Sequence, residues 1–454
     1  MGPHYTRPSI DTPKTYGLKE NNLKHVPNQR FVENQTIPAQ WWTLFHSKSL
    51  NELIVASFQH NPSIHAAQSA LKGALETVYA QQSAFYPFAG LSFNPSKQQT
   101  AKLLTSVLSA NRYNYALYTG QLFVSYTPDV FGGTRKQLES FIAQAQLKRL
   151  QLEATYVTLS SNVVNAVIQE AALREQISIT KQVIASQIKI LKITRRQQKL
   201  GDAARSDIAL QESALATFQT ALSPLEKQLA LQRDLINALT GRLPDDPRTP
   251  QFRLHNLKLP KLIPLSLPST LIEHRPDIRA AEEQMRAANA LIGVSVANRL
   301  PNLNIGFTNA GTATTNLSSL FAPNTLFWSL AGIITQPISD AGNLLHKQRY
   351  AEAAYAETVA LYKLTIINAF QNVVDTLKAI QQDAIALDRA YEAERAALTS
   401  LTILRRQLLS GDVSTIDLLI SEQFYKQAKL KQVQAEADRL TDTVALFQAL
   451  GGGW

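Results

Sequence analysis

No proline occurs between Gly342 and Gly451, and the one glycine inside that span is Gly411. Apolar or small residues recur there at Tyr355, Val359, Tyr362, Ile366, Phe370, Val373, Leu377, Ile380, Ala384, Leu387, Tyr391, Leu398 and Leu401. Steps of three and four keep such a stripe on one face only in a helix. The pattern predicts a helix over about residues 343–410, roughly 100 Å long at the usual helical rise. Gly411 is expected to close it, because glycine reaches the left-handed conformation on which helices commonly end. Arg405 and Arg406 are expected in the last turn, where the dipole favours cations. Asp412 is then expected to open a second helix of about 40 residues, stopping at Gly451-Gly452-Gly453. Helices of this length belong to a coiled coil, a membrane span or a tube wall, and the charge they carry excludes the span.

The same hairpin occurs earlier. Leu191-Lys-Ile-Thr-Arg-Arg-Gln-Gln-Lys-Leu-Gly201-Asp202 matches Leu401-Thr-Ile-Leu-Arg-Arg-Gln-Leu-Leu-Ser-Gly411-Asp412, with Asp207 opposite Asp417 and Glu212 opposite Glu422. Asn61-Pro62-Ser63-Ile64 likewise matches Arg275-Pro276-Asp277-Ile278, and Pro87 matches Pro301. Markers that recur in order indicate a tandem duplication with a period of about 210 residues.

The expected organisation is an extended N-terminal arm over 1–48 with equatorial packing, a first repeat over 49–241, a proline-rich crossover over 242–268 and a second repeat over 269–454. In the arm, Trp41, Trp42 and Phe45 are expected to pack into the core. A helix is expected over about 54–85, broken at Asn61-Pro62, where Asn61 can cap and Pro62 suits a first helical position. Long and short helices follow at about 134–200 and 202–240, the latter bent at Pro224. Alternation of polar and apolar residues marks strands at about 88–94 and 113–126, and again at about 302–309 and 326–336, joined by polar loops over 97–112 and 310–325. These are the right size for an outer-membrane barrel, the competing reading being two amphipathic hairpins that cap a soluble core; four strands cannot close a barrel, so if they lie in a membrane several chains must pool them.

Composition removes most other classes. The chain has 454 residues, a net charge of +10 and no cysteine, which excludes disulfides, thiol catalysis and cysteine-held metal. Its basic residues are interleaved with acids along the helices rather than blocked together, so nucleic acid is not an expected partner. No run of 18 apolar residues exists, and Met1-Gly2-Pro3 does not read as a signal peptide. The eight histidines show no ligand spacing, and no phosphate loop, carboxylate pair or nucleophile elbow is present, so neither an enzyme nor a cofactor or metal site is expected.

Several stretches together carry a family resemblance. They are Gly2-Pro3-His4-Tyr5-Thr6-Arg7-Pro8, Trp41-Trp42, His274-Arg275-Pro276-Asp277-Ile278-Arg279-Ala280-Ala281-Glu282, Gln336-Pro337-Ile338-Ser339-Asp340-Ala341-Gly342 and Ala449-Leu450-Gly451-Gly452-Gly453-Trp454. In this joint order the chain resembles the TolC/OprM outer-membrane factor family, in its NodT-type efflux lipoprotein branch. The resemblance implies an α+β membrane protein: a homotrimer with a 12-stranded barrel in outer-membrane lipid, continued by a periplasmic α-helical barrel with an equatorial collar. It implies an exit duct for small molecules, served by a periplasmic adaptor and an inner-membrane pump of the RND type. The family's acylated cysteine would precede Gly2. Without the resemblance, the alternative is a soluble trimeric coiled-coil scaffold or adhesin-like structural protein.

The resemblance also assigns sites. The turns Gly201-Asp202 and Gly411-Asp412 fall at the periplasmic tip, opposite the strands, where an adaptor would dock. Asp207 and Asp417, six residues past each turn glycine, match acids that line the periplasmic entrance. That spacing places them beyond the first helical turn, so it alone reads them as solvated charges rather than caps. The family's second entrance acid falls at Ile420, and its latch tyrosine and arginine fall at Leu408 and Val413, which argues against a polar latch here.

Overall fold

The computed structural model describes residues 2–9, 29–33, 37–101, 103, 113–244, 246–265 and 268–452. The chain divides into two compact units. One comprises Met1–Ser9, Ala70–Lys148 and Ala281–Tyr362; the other comprises Ile10–Ser69, Arg149–Ala280 and Lys363–Trp454.

The first unit holds the main sheet. Strands β2 (Phe88–Gln99), β3 (Asn114–Tyr126), β5 (Asn302–Thr314) and β6 (Leu326–Thr335) lie in the antiparallel order β2-β3-β5-β6. Leu91 pairs with Leu122 and Phe93 with Gly120, while Leu122 pairs with Ala310 and Thr312 with Leu326. Side chains opposite one another share a face, so Leu91, Phe93, Leu122, Leu326 and Trp328 form one apolar, exposed surface. β2 and β5 run several residues further than alternation indicated. Their distal ends, Ser96–Gln99 and Gly311–Thr314, lack a clear apolar face, which is why the loops were expected to begin sooner. Of the expected loop over 97–112, residues 102 and 104–112 lie outside the described residues, as do Gly453 and Trp454.

Each strand–helix corner uses an aspartate. Asp129 accepts from the Thr134 and Arg135 amides at 3.0 Å each, ahead of α3 (Gly133–Leu200). Asp340 accepts from the Gly342 and Leu344 amides at 3.0 and 2.7 Å, ahead of α7 (Asn343–Ser410). The two long helices are each 68 residues, roughly 100 Å by helical rise. No described helix is long and apolar enough to cross a membrane.

The second unit is built on helix packing. Its short helices are α1 (Lys48–His60), α4 (Arg205–Leu239), α5 (Pro268–His274) and α8 (Thr415–Ala449). α2 (Pro62–Gln82) follows α1 after a break at Asn61, whose side chain accepts from the Ser63 amide at 2.8 Å. α6 (Pro276–Ala297) occupies the same place in the second repeat. The chain enters α1 earlier than apolar spacing indicated, because Ser47 accepts from the Leu50 amide and caps it. Pro224 lies inside α4. Trp41, only 1% exposed, stacks at 5.3 Å on Phe447 and meets Trp42 and Phe45 edge-on; Trp42 meets Phe58 in the same way. The proline-rich crossover has structure of its own. It contains a 3-10 turn at Leu254–Asn256, then β4 (Leu262–Leu265), which pairs in parallel with β1 (Arg30–Glu33) of the N-terminal arm.

The duplication also recurs in tertiary contacts. The residue before each repeat's proline reaches the C-terminus of that repeat's last helix. Asn61 Nδ2 donates to the Leu239 carbonyl at 2.8 Å, and Arg275 Nη1 donates to the Ala449 carbonyl at 2.5 Å. Both satisfy carbonyls that a helix end leaves unpaired.

Candidate functional site

The two long hairpins turn in the same way. At the end of α3 the Gly201 amide donates to the Gln198 carbonyl at 3.1 Å and the Asp202 amide to that of Gln197 at 2.9 Å. At the end of α7 the Gly411 amide donates to Leu408 at 3.2 Å and the Asp412 amide to Gln407 at 2.9 Å. This paired pattern is a Schellman closure, which needs a left-handed residue at the glycine. The φ angles are +87° at Gly201 and +83° at Gly411. A Cβ at either would meet nothing within 4 Å, so backbone conformation alone demands glycine. The Ser410 hydroxyl donates to Asp412 Oδ2 at 2.5 Å and stiffens the second turn.

Asp202 and Asp412 therefore finish the incoming helix and do not open the next one. That corrects the expected helix starts: α4 begins at Arg205 and α8 at Thr415. Likewise Arg405 and Arg406 fall short of the last turn of α7, which holds no basic residue.

The later starts change how Asp207 and Asp417 are understood. Both occupy the third position of a helix, inside the first turn, so the reading that set capping aside is corrected. Asp417 Oδ2 accepts from the Ser414 amide at 3.1 Å and from its hydroxyl at 2.7 Å, while Ser414 Oγ accepts from the Asp417 amide at 3.2 Å. This is a reciprocal capping box. The hydrogen bond from the Ser414 side chain, then that from its backbone, holds the Asp417 carboxyl below the ordinary carboxylate range. Asp207 Oδ2 accepts from the Ala204 amide at 2.8 Å, but alanine offers no side-chain acceptor in return. Both carboxylates remain exposed while bonding the backbone. Among the described residues no hydrogen bond or ion pair joins Asp207 to Asp417. Ile420, one turn beyond Asp417, presents an apolar side chain 39% exposed.

Two polar groupings escaped the sequence reading. Gln187, 2% exposed on α3, donates to Gln211 Oε1 of α4 at 2.8 Å and accepts from Gln423 Nε2 of α8 at 2.6 Å. Arg439 is 1% exposed on α8 and donates to the Ile380 carbonyl of α7. Beside it Asp442 is pushed up to about 7, by burial first and then by its hydrogen bond to Asp383. Gln187 interrupts an apolar stripe formed by Val183, Ile184, Ile190 and Leu191, and that interruption is its one local signal; Arg439 has Glu436, Asp442 and Thr443 at helical spacing and reads in sequence as a solvated position.

A family model described as outer membrane efflux protein matches residues 53–242 and 267–452. The pyoverdine export outer membrane protein OpmQ of Pseudomonas putida is 26% identical over 453 residues, covering 98% of this chain and 94% of that protein. The cation efflux system protein CusC of Escherichia coli is 26% identical over 468 residues, covering 100% of this chain and 95% of that one. Among solved structures, the outer-membrane channel OprN superposes with a TM-score of 0.87 at 22% identity, covering 100% of this chain and 99% of that one. The open state of the Neisseria gonorrhoeae MtrE outer membrane channel superposes with a TM-score of 0.84 at 23% identity, covering 100% and 98%.

Proposed function

Because this chain belongs to the outer membrane efflux protein family, we propose that it forms the exit duct of a tripartite efflux system. Three copies pool their four-stranded sheets into one 12-stranded barrel in the outer membrane, and their helical hairpins continue the duct into the periplasm. An inner-membrane pump supplies the energy and a periplasmic adaptor joins pump to duct. The chain itself works by passage rather than by chemistry and is not an enzyme. The observation that carries this reading is the sheet: β2 and β6 are its two outer strands, and among the described residues each has one edge without a strand partner. Four strands are too few to close a barrel, and a lipid-facing sheet tolerates no open edge. The names of the relatives range from pyoverdine export to cation efflux, as suits a duct whose pump selects the cargo.

Asp207 and Asp417 line the periplasmic entrance, where three copies of each set six carboxylates around a narrow mouth. Such a ring attracts cations and repels anions. The turns Gly201-Asp202 and Gly411-Asp412 offer the adaptor its docking tip. Exposure of both carboxylates and both glycine turns supports this assignment. Single-channel recording on planar bilayers tests it. The wild type is expected to prefer cations, and Asp207→Asn with Asp417→Asn to weaken that preference and the block by multivalent cations. Unchanged selectivity in the double variant would remove both residues from the entrance.

A further inference from the structure

The loop between β5 and β6 does not stand clear of the sheet. After a 3-10 turn at Leu317–Ser319 it lies back over the apolar face. Leu320 rests on Gly120, its Cδ2 3.8 Å from where a Cβ would stand, and Thr312, the register partner of Gly120, is only 7% exposed. Hydroxyls pin this conformation. Thr325 Oγ1 donates to the Ala322 carbonyl at 2.8 Å and to that of Leu320 at 3.2 Å, and the Thr314 and Ser319 hydroxyls meet at 2.9 Å. Between loop and sheet lies a cavity of about 670 Å³. Leu91, Phe93, Leu122, Leu326 and Trp328 line it from the sheet, and Leu320 and Phe321 from the loop. Phe321 is itself 88% exposed.

We propose that this cavity is a slot for one acyl chain of an anionic lipid in the outer leaflet, with the lipid phosphate on Lys97. The place in the fold selects the leaflet. β2 and β5 start, and β3 and β6 end, at the helical end of the sheet, so the β5–β6 loop lies at the opposite end, away from the periplasm. The lining selects the chain. It continues the face of the sheet that meets hydrocarbon, and it offers water too few polar partners to be held. The face selects the headgroup. Residues two apart along a strand share a face, so the exposed Lys97 stands above Leu91 and Phe93, roughly 13 Å beyond Phe93 towards the cell exterior. Its stem can lie along apolar surface while the ammonium reaches headgroup level, where a cation attracts an anionic lipid. The proposal rests on the barrel reading and goes beyond it: lipid that merely wets a barrel exchanges freely, whereas a chain held between loop and sheet stays with the protein.

Native mass spectrometry of the detergent-extracted assembly, incubated with equal amounts of phosphatidylglycerol and phosphatidylcholine carrying the same chains, tests the slot. One retained lipid per chain is expected, predominantly phosphatidylglycerol. Ala310→Leu adds bulk at an exposed position on the lining, and Phe321→Ser removes an exposed ring from the loop. Each is expected to lower retention about tenfold, the effect of roughly two methylenes left unburied. Lys97→Gln is expected to keep the lipid count and to lose the preference for phosphatidylglycerol. All three side chains are exposed, so none of these changes disturbs a packed core. The trimer mass reports the barrel in the same spectrum: lipid lost from an intact trimer concerns the slot, whereas a missing trimer concerns the barrel. A wild-type trimer that retains no lipid, or a lipid count unchanged by both Ala310→Leu and Phe321→Ser, would overturn the slot. An undiminished headgroup preference in Lys97→Gln would overturn the phosphate contact.

Discussion

Replacing Asp417 by asparagine removes its charge but keeps an oxygen able to accept from the Ser414 amide. Replacing Ser414 by alanine does the reverse, breaking the capping box while leaving the carboxylate in place. Cation preference in bilayer recordings is therefore expected to fall in Asp417→Asn and to persist in Ser414→Ala. The serine variant is expected to lose about 1 kcal/mol of local helix stability, visible as faster amide exchange at residues 415–418. At the turn itself, Gly411→Val is expected to cost about 1 kcal/mol or more, through positive φ alone. If the turn docks an adaptor, export should fall further than assembly yield does. Asp442 makes a different prediction. Its folded-state carboxyl is raised to about 7 from an ordinary value of 3.8, so the folded form binds the proton more tightly than the unfolded one. The contribution of this group to stability is then fully present below the unfolded value and is lost as pH rises from about 4 to 7. Asp442→Asn is expected to flatten that decline in thermal melts taken across this window. An undiminished slope would show that Asp442 does not titrate there.

Helix ends are where sequence and structure part company. The span of α7 was legible to the residue, because a stripe of small steps without proline has one physical solution and glycine marks its end. The next helix was not. An aspartate after glycine suits an N-cap by type, yet at 202 and 412 its amide is spent on closing the previous helix. The break at Asn61-Pro62 was legible from the proline and the capping type. That the side chains of Asn61 and Arg275 reach carbonyls 178 and 174 residues further along the chain was not, since no local pattern encodes such a partner. Asp207 and Asp417, proposed above to line the entrance, were singled out through the family's motif order, and their capping role appeared only once the helix starts were placed. Arg275 carries the element-scale prediction. It is buried, bonds the Ala449 carbonyl and pairs with Asp277 at 2.6 Å. Arg275→Met leaves that carbonyl without its donor and is expected to cost about 1–3 kcal/mol. Arg275→Lys is not expected to restore it, because a single ammonium cannot reproduce the planar fork. Heat-dissociation midpoints of the two variants check this, and a lysine variant as stable as wild type would contradict it.

At the scale of the whole molecule, one chain is an incomplete object. Its sheet presents Leu91, Trp328 and their neighbours on one exposed apolar face and, among the described residues, leaves two strand edges unpaired. Exposed apolar patches of this kind mark a surface that meets lipid or another chain, and unpaired edges seek partners. Joining β6 of one copy to β2 of the next satisfies the edges in a closed ring, and the apolar face then meets hydrocarbon. The account's central claim is that the strands become a barrel only when three chains assemble. Native mass spectrometry of the membrane-extracted protein, released from mild detergent, tests this most directly. A single folded species at three times the chain mass of 50.2 kDa is the result the account predicts. A monodisperse species at 50.2 kDa that keeps its full strand signal by circular dichroism would contradict it.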